Sequence, residues 1–201
     1  MKNRGLLIVF SGPAGTGKGT VCKEFLKRNS DSVLSVSATT RAPRPGETDG
    51  KEYFFVSEKE FKKMISENGF LEYASFCGNY YGTPKDKVEE KLNAGFNVIL
   101  EIEVQGAMQI KQKVPGAVFV FIAPPSKKIL RERIEGRGTE TREIIDKRMM
   151  IAESELKQIK NYDYVIVNDE VEKAVKSFED IKNAEKCKVL RNMNFIQEVC
   201  K

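Results

Sequence analysis

Gly12-Pro13-Ala14-Gly15-Thr16-Gly17-Lys18 decides how this chain of 201 residues is read. An apolar run, Leu6 to Phe10, leads directly into it, and a helix-forming stretch from Thr20 to Lys27 follows. Strand, glycine loop and helix in that order, with the spacing G-x-x-x-x-G-K, form a phosphate-binding P-loop. Its glycines let successive backbone N–H groups approach phosphate oxygens, and the helix N-terminus behind them favours negative charge. Lys18 would then reach the outer phosphates of a nucleoside triphosphate. An ordinary glycine turn is the alternative, and the flanking strand and helix argue against it. One position departs from the common pattern. Gly19 stands where a Ser or Thr usually offers Mg²⁺ a hydroxyl, and Thr20 comes one residue later. A step of one residue rotates a helical side chain by about 100°, so Thr20 cannot simply take that place.

Composition narrows the chemistry. The length suits one or at most two domains with a proper α/β core. Histidine is absent, which excludes imidazole bases, Ser-His-Asp and Cys-His nucleophile systems and His-ligated metals. Phosphoryl transfer to an acceptor that is itself a phosphate fits, because such an oxygen needs no base; catalysis is then positioning and charge neutralisation. A net charge of +5 without a continuous basic stripe argues against nucleic acid as a partner. No apolar stretch approaches the ~20 residues that span a bilayer. The N-terminus runs straight into the first strand, leaving no room for a signal peptide, so a cytoplasmic location is expected. Cys22, Cys77, Cys187 and Cys200 lie far apart without a C-x-x-C pair, which argues for reduced structural thiols over disulfides or a zinc site.

Five short apolar runs read as buried parallel strands: Leu6 to Phe10, Val33 to Val36, Val98 to Ile102, Val118 to Ile122 and Tyr164 to Val167. Helical patterns between them predict a doubly wound parallel sheet. Pro84 to Leu92 reads as one helix, with Thr83 as N-cap and Pro84 at its first position. Two segments interrupt the alternation. One, 37–83, holds short polar-aromatic strands around a helix that opens with the capping box Ser57-x-x-Glu60 and ends at Gly69. The other, 126–156, reads as two helices joined through Gly136-Arg137-Gly138. The rest, 4–36, 84–125 and 157–201, is the core of one domain, its last residues a helical tail.

Ser37-Ala-Thr-Thr-Arg41-Ala-Pro43-Arg44 leaves a strand as a rigid turn that can hold two arginines on one anion. With Gly50-Lys-Glu-Tyr53, Phe70-Leu-Glu72-Tyr, Gly78-Asn-Tyr-Tyr81-Gly-Thr83, Glu101-Ile-Glu103-Val-Gln-Gly106, Ala123-Pro-Pro-Ser126, Gly136-Arg137-Gly-Thr-Glu-Thr141 and Val165-Ile-Val-Asn168-Asp169, the chain resembles the guanylate kinases of bacterial type. The likeness runs from about Gly5 to Ile181, and the sequence Gly-Lys-Gly-Thr in the P-loop is itself a form found in nucleoside monophosphate kinases.

The resemblance implies an α/β fold, a five-stranded parallel P-loop core with an inserted GMP-binding subdomain and a helical lid. It implies transfer of phosphate from ATP to GMP, and to dGMP, with Mg²⁺. Gly12, Pro13, Ala14, Gly15, Thr16, Gly17, Lys18, Gly19 and Thr20 would hold ATP, with Asn168 and Asp169 by its base. Arg41, Arg44, Tyr53 and Tyr81 would hold the GMP phosphate, and Ser37, Glu72, Thr83 and Glu103 would read guanine. Guanine presents a ring N–H and an exocyclic amine side by side, which one carboxylate can accept together; adenine presents neither. Glu101 and Glu103 close the third core strand and take different jobs, with no direct protein ligand to the metal and Glu101 in its outer shell. Lys18, Arg44, Arg137 and Arg148 are the catalytic cations, Arg137 and Arg148 from the lid.

The segment Ser126 to Met150 carries eight basic against five acidic side chains. For Arg131, Arg133 and Arg142 a salt-bridged solvent face is the plain reading. A guanylate-kinase-like binding module without catalysis is the competing class. Such modules degenerate in the P-loop or lid arginines, whereas Lys18, Arg137 and Arg148 are all present. Monomer and homodimer both remain open.

Overall fold

A computed structural model describes residues 4–136 and 141–201. Its elements begin with β1 (Leu7–Ser11), α1 (Lys18–Arg28), β2 (Ser32–Leu34), β3 (Ala38–Thr39), β4 (Phe54–Phe55) and α2 (Glu58–Ser66). They continue with β5 (Phe70–Phe76), β6 (Asn79–Pro84), α3 (Lys85–Asn93), β7 (Asn97–Ile102) and α4 (Val104–Lys113). β8 (Val118–Ala123), α5 (Lys127–Glu135), α6 (Arg142–Leu156), β9 (Tyr164–Val167), α7 (Val171–Lys186) and α8 (Met193–Val199) complete the chain. All five strands expected from the apolar runs form, in the order β2-β7-β1-β8-β9, with parallel pairing of β1 to β7, β2 to β7 and β8 to β9. The all-parallel core is the α/β fold that the sequence predicts.

Not every one of those strands is buried. β1 and β8 are buried along their whole length, as central parallel strands covered on both faces must be. β2 and β9 lie at the sheet's edges, and Leu34, Val165 and Val167 are exposed there.

The chain divides into two compact units, residues 1–11 with 30–117, and 12–29 with 118–201. The first contains a second sheet, in the order β4-β3-β6-β5. Helix α2 covers it, stacking Phe61 on Phe70 with ring centroids 4.3 Å apart, over a small core completed by Ala38. The capping box is present as read: Glu60 N–H donates to Ser57 Oγ at 3.2 Å, and Ser57 N–H donates to the Glu60 carboxylate at 2.8 Å. The helix ends differently. Asn68, not Gly69, takes the left-handed conformation with φ 53°, while Gly69 N–H returns to Met64 C=O at 2.8 Å. Asn tolerates that conformation because its short polar side chain bonds locally.

Thr83 is likewise not a helix cap. It belongs to β6, and Pro84 is the extended residue that precedes α3. This displacement by one residue frees the threonine hydroxyl for another partner.

In the second unit α1 and α7 pack through stacked Phe25 and Phe178, centroids 4.3 Å apart. At its rim Arg28 pairs with Glu172 at 2.7 Å. Residues beyond 186 form a short turn of helix at Val189–Arg191 and then α8. The turn is tied down by Glu185, a buried carboxylate that accepts from Tyr164 Oη and from Arg191. Cys22 is buried, whereas Cys77, Cys187 and Cys200 are exposed. Among the described residues no helix is long and apolar enough to cross a membrane.

Candidate active site

In the second unit, residues 12–17 form the glycine loop that enters α1. Gly15 and Gly17 have φ of 87° and 84°, which glycine alone adopts without strain. Space excludes side chains there too. A Cβ on Gly15 would lie 3.0 Å from Ile134 and 3.2 Å from Leu130 of α5, and one on Gly17 only 2.5 Å from Asn168 Nδ2. The loop is braced from within: Thr16, fully buried, donates its hydroxyl to Pro13 C=O at 2.8 Å. Asn168, just past β9 and expected beside the base of ATP, is buried and donates its amide to Thr16 C=O at 2.7 Å. The Lys18 ammonium lies over the loop, donating to the carbonyls of Gly12 and Pro13. Ala14, Gly19, Thr20 and Asp169 are exposed and Pro13 is buried.

Helices α5 and α6 of the same unit bury Leu130, Ile134, Ile145, Met149 and Ala152 against each other. Ser126 caps α5 by accepting from Ile129 N–H at 3.2 Å. Arg148 is half-buried on α6, whereas Arg137 lies outside the described residues. Arg131 keeps the salt-bridged role expected of it, 2.8 Å from Asp146 and 3.5 Å from Glu135. Arg133 does not: it is half-buried, and its Nη1 is enclosed without a hydrogen-bond partner. One face of α5 packs inward, and Arg133 neighbours buried Ile134.

In the first unit the arginine turn lies beside the tyrosines at the second sheet. Arg41 pairs with Glu47 at 2.8 Å and lies 5.4 Å over the Tyr53 ring. Tyr53 meets Tyr81 edge-on, centroids 6.1 Å apart, an arrangement aromatic pairs favour. Glu47, which sequence reasoning missed, also accepts from Arg44 N–H at 2.8 Å, so one carboxylate sets the turn that carries both arginines. Arg41 beside it, then the Arg44 amide, hold its carboxyl below the usual range. The signal was its place three residues after Arg44, where a side chain can close a turn. Arg44 itself is exposed and Ser37 half-buried at the start of β3.

Glu72 is the anomaly of this unit, a carboxylate only 7% exposed. Its Oε1 accepts from Thr83 Oγ1 at 2.6 Å. Its Oε2 lies against the first turn of α4, 2.9 Å from where a Cβ on Gly106 would stand. A glycine inside a helix is itself the sequence signal for such a close approach. Burial pushes the Glu72 carboxyl up, while Thr83 and the charge of Lys113 pull it back and Glu103 adds to the rise. Glu101 and Glu103 would share a face if both stayed in a strand. They separate because β7 ends at Ile102, leaving Glu101 on the strand and exposed Glu103 at the N-cap position of α4, where its side chain makes no capping bond.

A protein-family model described as guanylate kinase matches residues 4–185. The guanylate kinase of Desulfitobacterium hafniense is 54% identical over 198 residues, covering 98% of this chain and 99% of that one. That of Clostridioides difficile is 54% identical over 195 residues, covering 97% and 95%. Among solved structures, the guanylate kinase from Anaplasma phagocytophilum superposes with a TM-score of 0.75 at 34% identity, covering 98% of this chain and 95% of its own. A P-loop braced for phosphates, an arginine–tyrosine cluster and a buried carboxylate thus occur in a chain alike to these enzymes from end to end: it belongs to the guanylate kinase family.

Proposed function

We propose that this chain transfers the γ-phosphoryl group of ATP to the phosphate of GMP, and also of dGMP, giving ADP and the nucleoside diphosphate. The observation that carries the reading is Glu72, a carboxylate buried with its neighbour Thr83 in the same sheet as the arginine–tyrosine cluster. A buried carboxylate needs compensation, and the paired N–H groups of guanine supply it. Glu103, exposed at the start of α4, and Ser37 complete the recognition of the base.

Arg41, Arg44, Tyr53 and Tyr81 hold the GMP phosphate. A phosphate monoester has a second pKa of about 6, so near neutrality its oxygen attacks without a base. As the new P–O bond forms, the bond from the γ-phosphorus to the β–γ bridging oxygen breaks, and the departing charge stays on ADP. Lys18 and the loop N–H groups neutralise the β and γ phosphates. Arg137 and Arg148 meet the charge that spreads over the transferring group. Residues 37–83 thus form the GMP-holding insertion and 126–156 the lid.

The donor set suits Mg²⁺ carried by the triphosphate and water. Gly19 offers no hydroxyl, and among the described residues no cluster of three acidic or cysteine side chains could hold a metal ion. Bound to the phosphates, Mg²⁺ would supply charge neutralisation, and Glu101 would stand in its outer shell. We place the reaction in the cytoplasm. No observation favours an inactive binding module. An ADP-release assay across GMP, dGMP, AMP, CMP and UMP tests the reading. Glu72→Gln should lose GMP activity heavily while AMP activity barely changes. An unaltered preference for GMP in that variant would remove Glu72 from base recognition.

A further inference from the structure

Strand β5 departs from regular pairing at the residue that matters. Phe70 pairs with Pro84, but three residues later Tyr73 pairs with Gly82, only two residues back along β6. One extra residue is therefore accommodated at Leu71–Glu72, a β-bulge. Phe70, Leu71 and Glu72 are consecutively buried, where an unbroken strand would turn Leu71 and its neighbours to opposite faces. The bulge is what turns Glu72 inward to Thr83.

A bulge on an edge strand leaves backbone groups without ladder partners, and β5 is the edge of its sheet. Helix α4 meets that need. Gln109 donates its amide to Tyr73 C=O at 3.1 Å and accepts from Tyr73 N–H at 3.3 Å, as a neighbouring strand would. Lys113 donates to Leu71 C=O at 3.1 Å. The two grips fall on the residues immediately before and after Glu72. Gly106, Gln109 and Lys113 follow one another at helical spacing along one face of α4, the face that meets β5 and the Glu72 carboxylate.

We propose that Gln109 and Lys113 are positioning residues for guanine recognition. Helix α4 acts as a surrogate strand on the bulged edge of β5, and so fixes Glu72 relative to Glu103 at the helix's own start. The proposal rests on Glu72 as a reader of guanine. It assigns to the far end of α4 a part in base selection although neither side chain touches the nucleotide. Lys113 has a second effect through charge. The charged and polar groups facing Glu72 are Thr83 on β6 and Glu103 and Lys113 on α4, and of the two charges only that of Lys113 favours the ionised carboxylate.

The test compares GMP with IMP, which keeps the ring N–H but lacks the exocyclic amine, in the wild type and in Gln109→Ala, Lys113→Met, Lys113→Arg and Glu72→Gln. Misplacing the carboxylate forfeits the bond to the amine. Gln109→Ala and Lys113→Met should each raise the GMP KM and shrink the GMP:IMP ratio of kcat/KM by about tenfold. The ATP KM should stay within about twofold, since no ATP contact is touched. Lys113→Arg should restore the ratio, and Lys113→Met should move the acid limb of the GMP profile to higher pH. General loosening of the fold would lower the melting temperature without moving the ratio or the pH limb. If Glu72→Gln collapses the ratio while Gln109→Ala and Lys113→Met keep it, the base reading stands and the positioning role is overturned. If Glu72→Gln itself keeps the ratio, the reading of Glu72 fails and the positioning role fails with it.

Discussion

Gly106→Ala separates what a helix prefers from what this site requires. In an ordinary helix interior alanine is better than glycine by about 1 kcal/mol, so the substitution should tend to stabilise α4. Here the added carbon would stand 2.9 Å from Glu72 Oε2, 3.3 Å from Cδ and 3.4 Å from Cγ. Non-bonded carbon needs about 3.5 Å, so the carboxylate must retreat by roughly half an ångström from a position that its bond to Thr83 and its burial define. A charged hydrogen bond contributes about 1.5–3 kcal/mol, and about 1.4 kcal/mol is tenfold. Losing one bond to guanine should therefore lower kcat/KM for GMP by about 10- to 100-fold. The assay is a steady-state titration of GMP at saturating ATP, with the ATP KM and the melting temperature measured on the same samples. The ATP KM should not move, and the melting temperature should hold or rise. Wild-type kcat/KM for GMP in a folded Gly106→Ala protein would refute the close approach of α4 to a working Glu72.

Burial raises the Glu72 carboxyl above its ordinary value, so its contribution to stability is present in acid and lost as pH rises through the folded value. The melting temperature of wild type relative to Glu72→Gln should fall between acid and neutral pH, while kcat/KM for GMP should rise over the same window as the carboxylate ionises; a pH-independent difference in melting temperature would contradict this. Arg137→Ala and Arg148→Ala should each lower kcat by about 100-fold with a smaller effect on ATP binding, and a change confined to the ATP KM would show that they act in the ground state. Thr20→Ala should lower activity far less than Lys18→Ala, because Thr20 is exposed one residue beyond the usual metal-binding hydroxyl; losses of equal size would make Thr20 a direct ligand.

Sequence alone determined the features that depend on local chemistry and spacing. The P-loop is a run of contiguous residues, and its glycines announce a backbone that side chains would block. Five apolar runs became the five parallel strands, and Ser57 with Glu60 formed the expected capping box, because hydrophobic patterning and capping act within a few residues. Tertiary structure decided what depends on distant partners. That Thr83 lies in a strand and serves Glu72, that β5 bulges at Leu71–Glu72 and that Glu47 holds Arg41 are facts of packing between segments far apart or of turns with several closures. The resemblance placed Asn168 only beside the base of ATP; the fold brings its amide to the P-loop carbonyl of Thr16. Gln109 and Lys113 gain their partners from the backbone of the bulged edge strand β5, which no one-dimensional pattern contains.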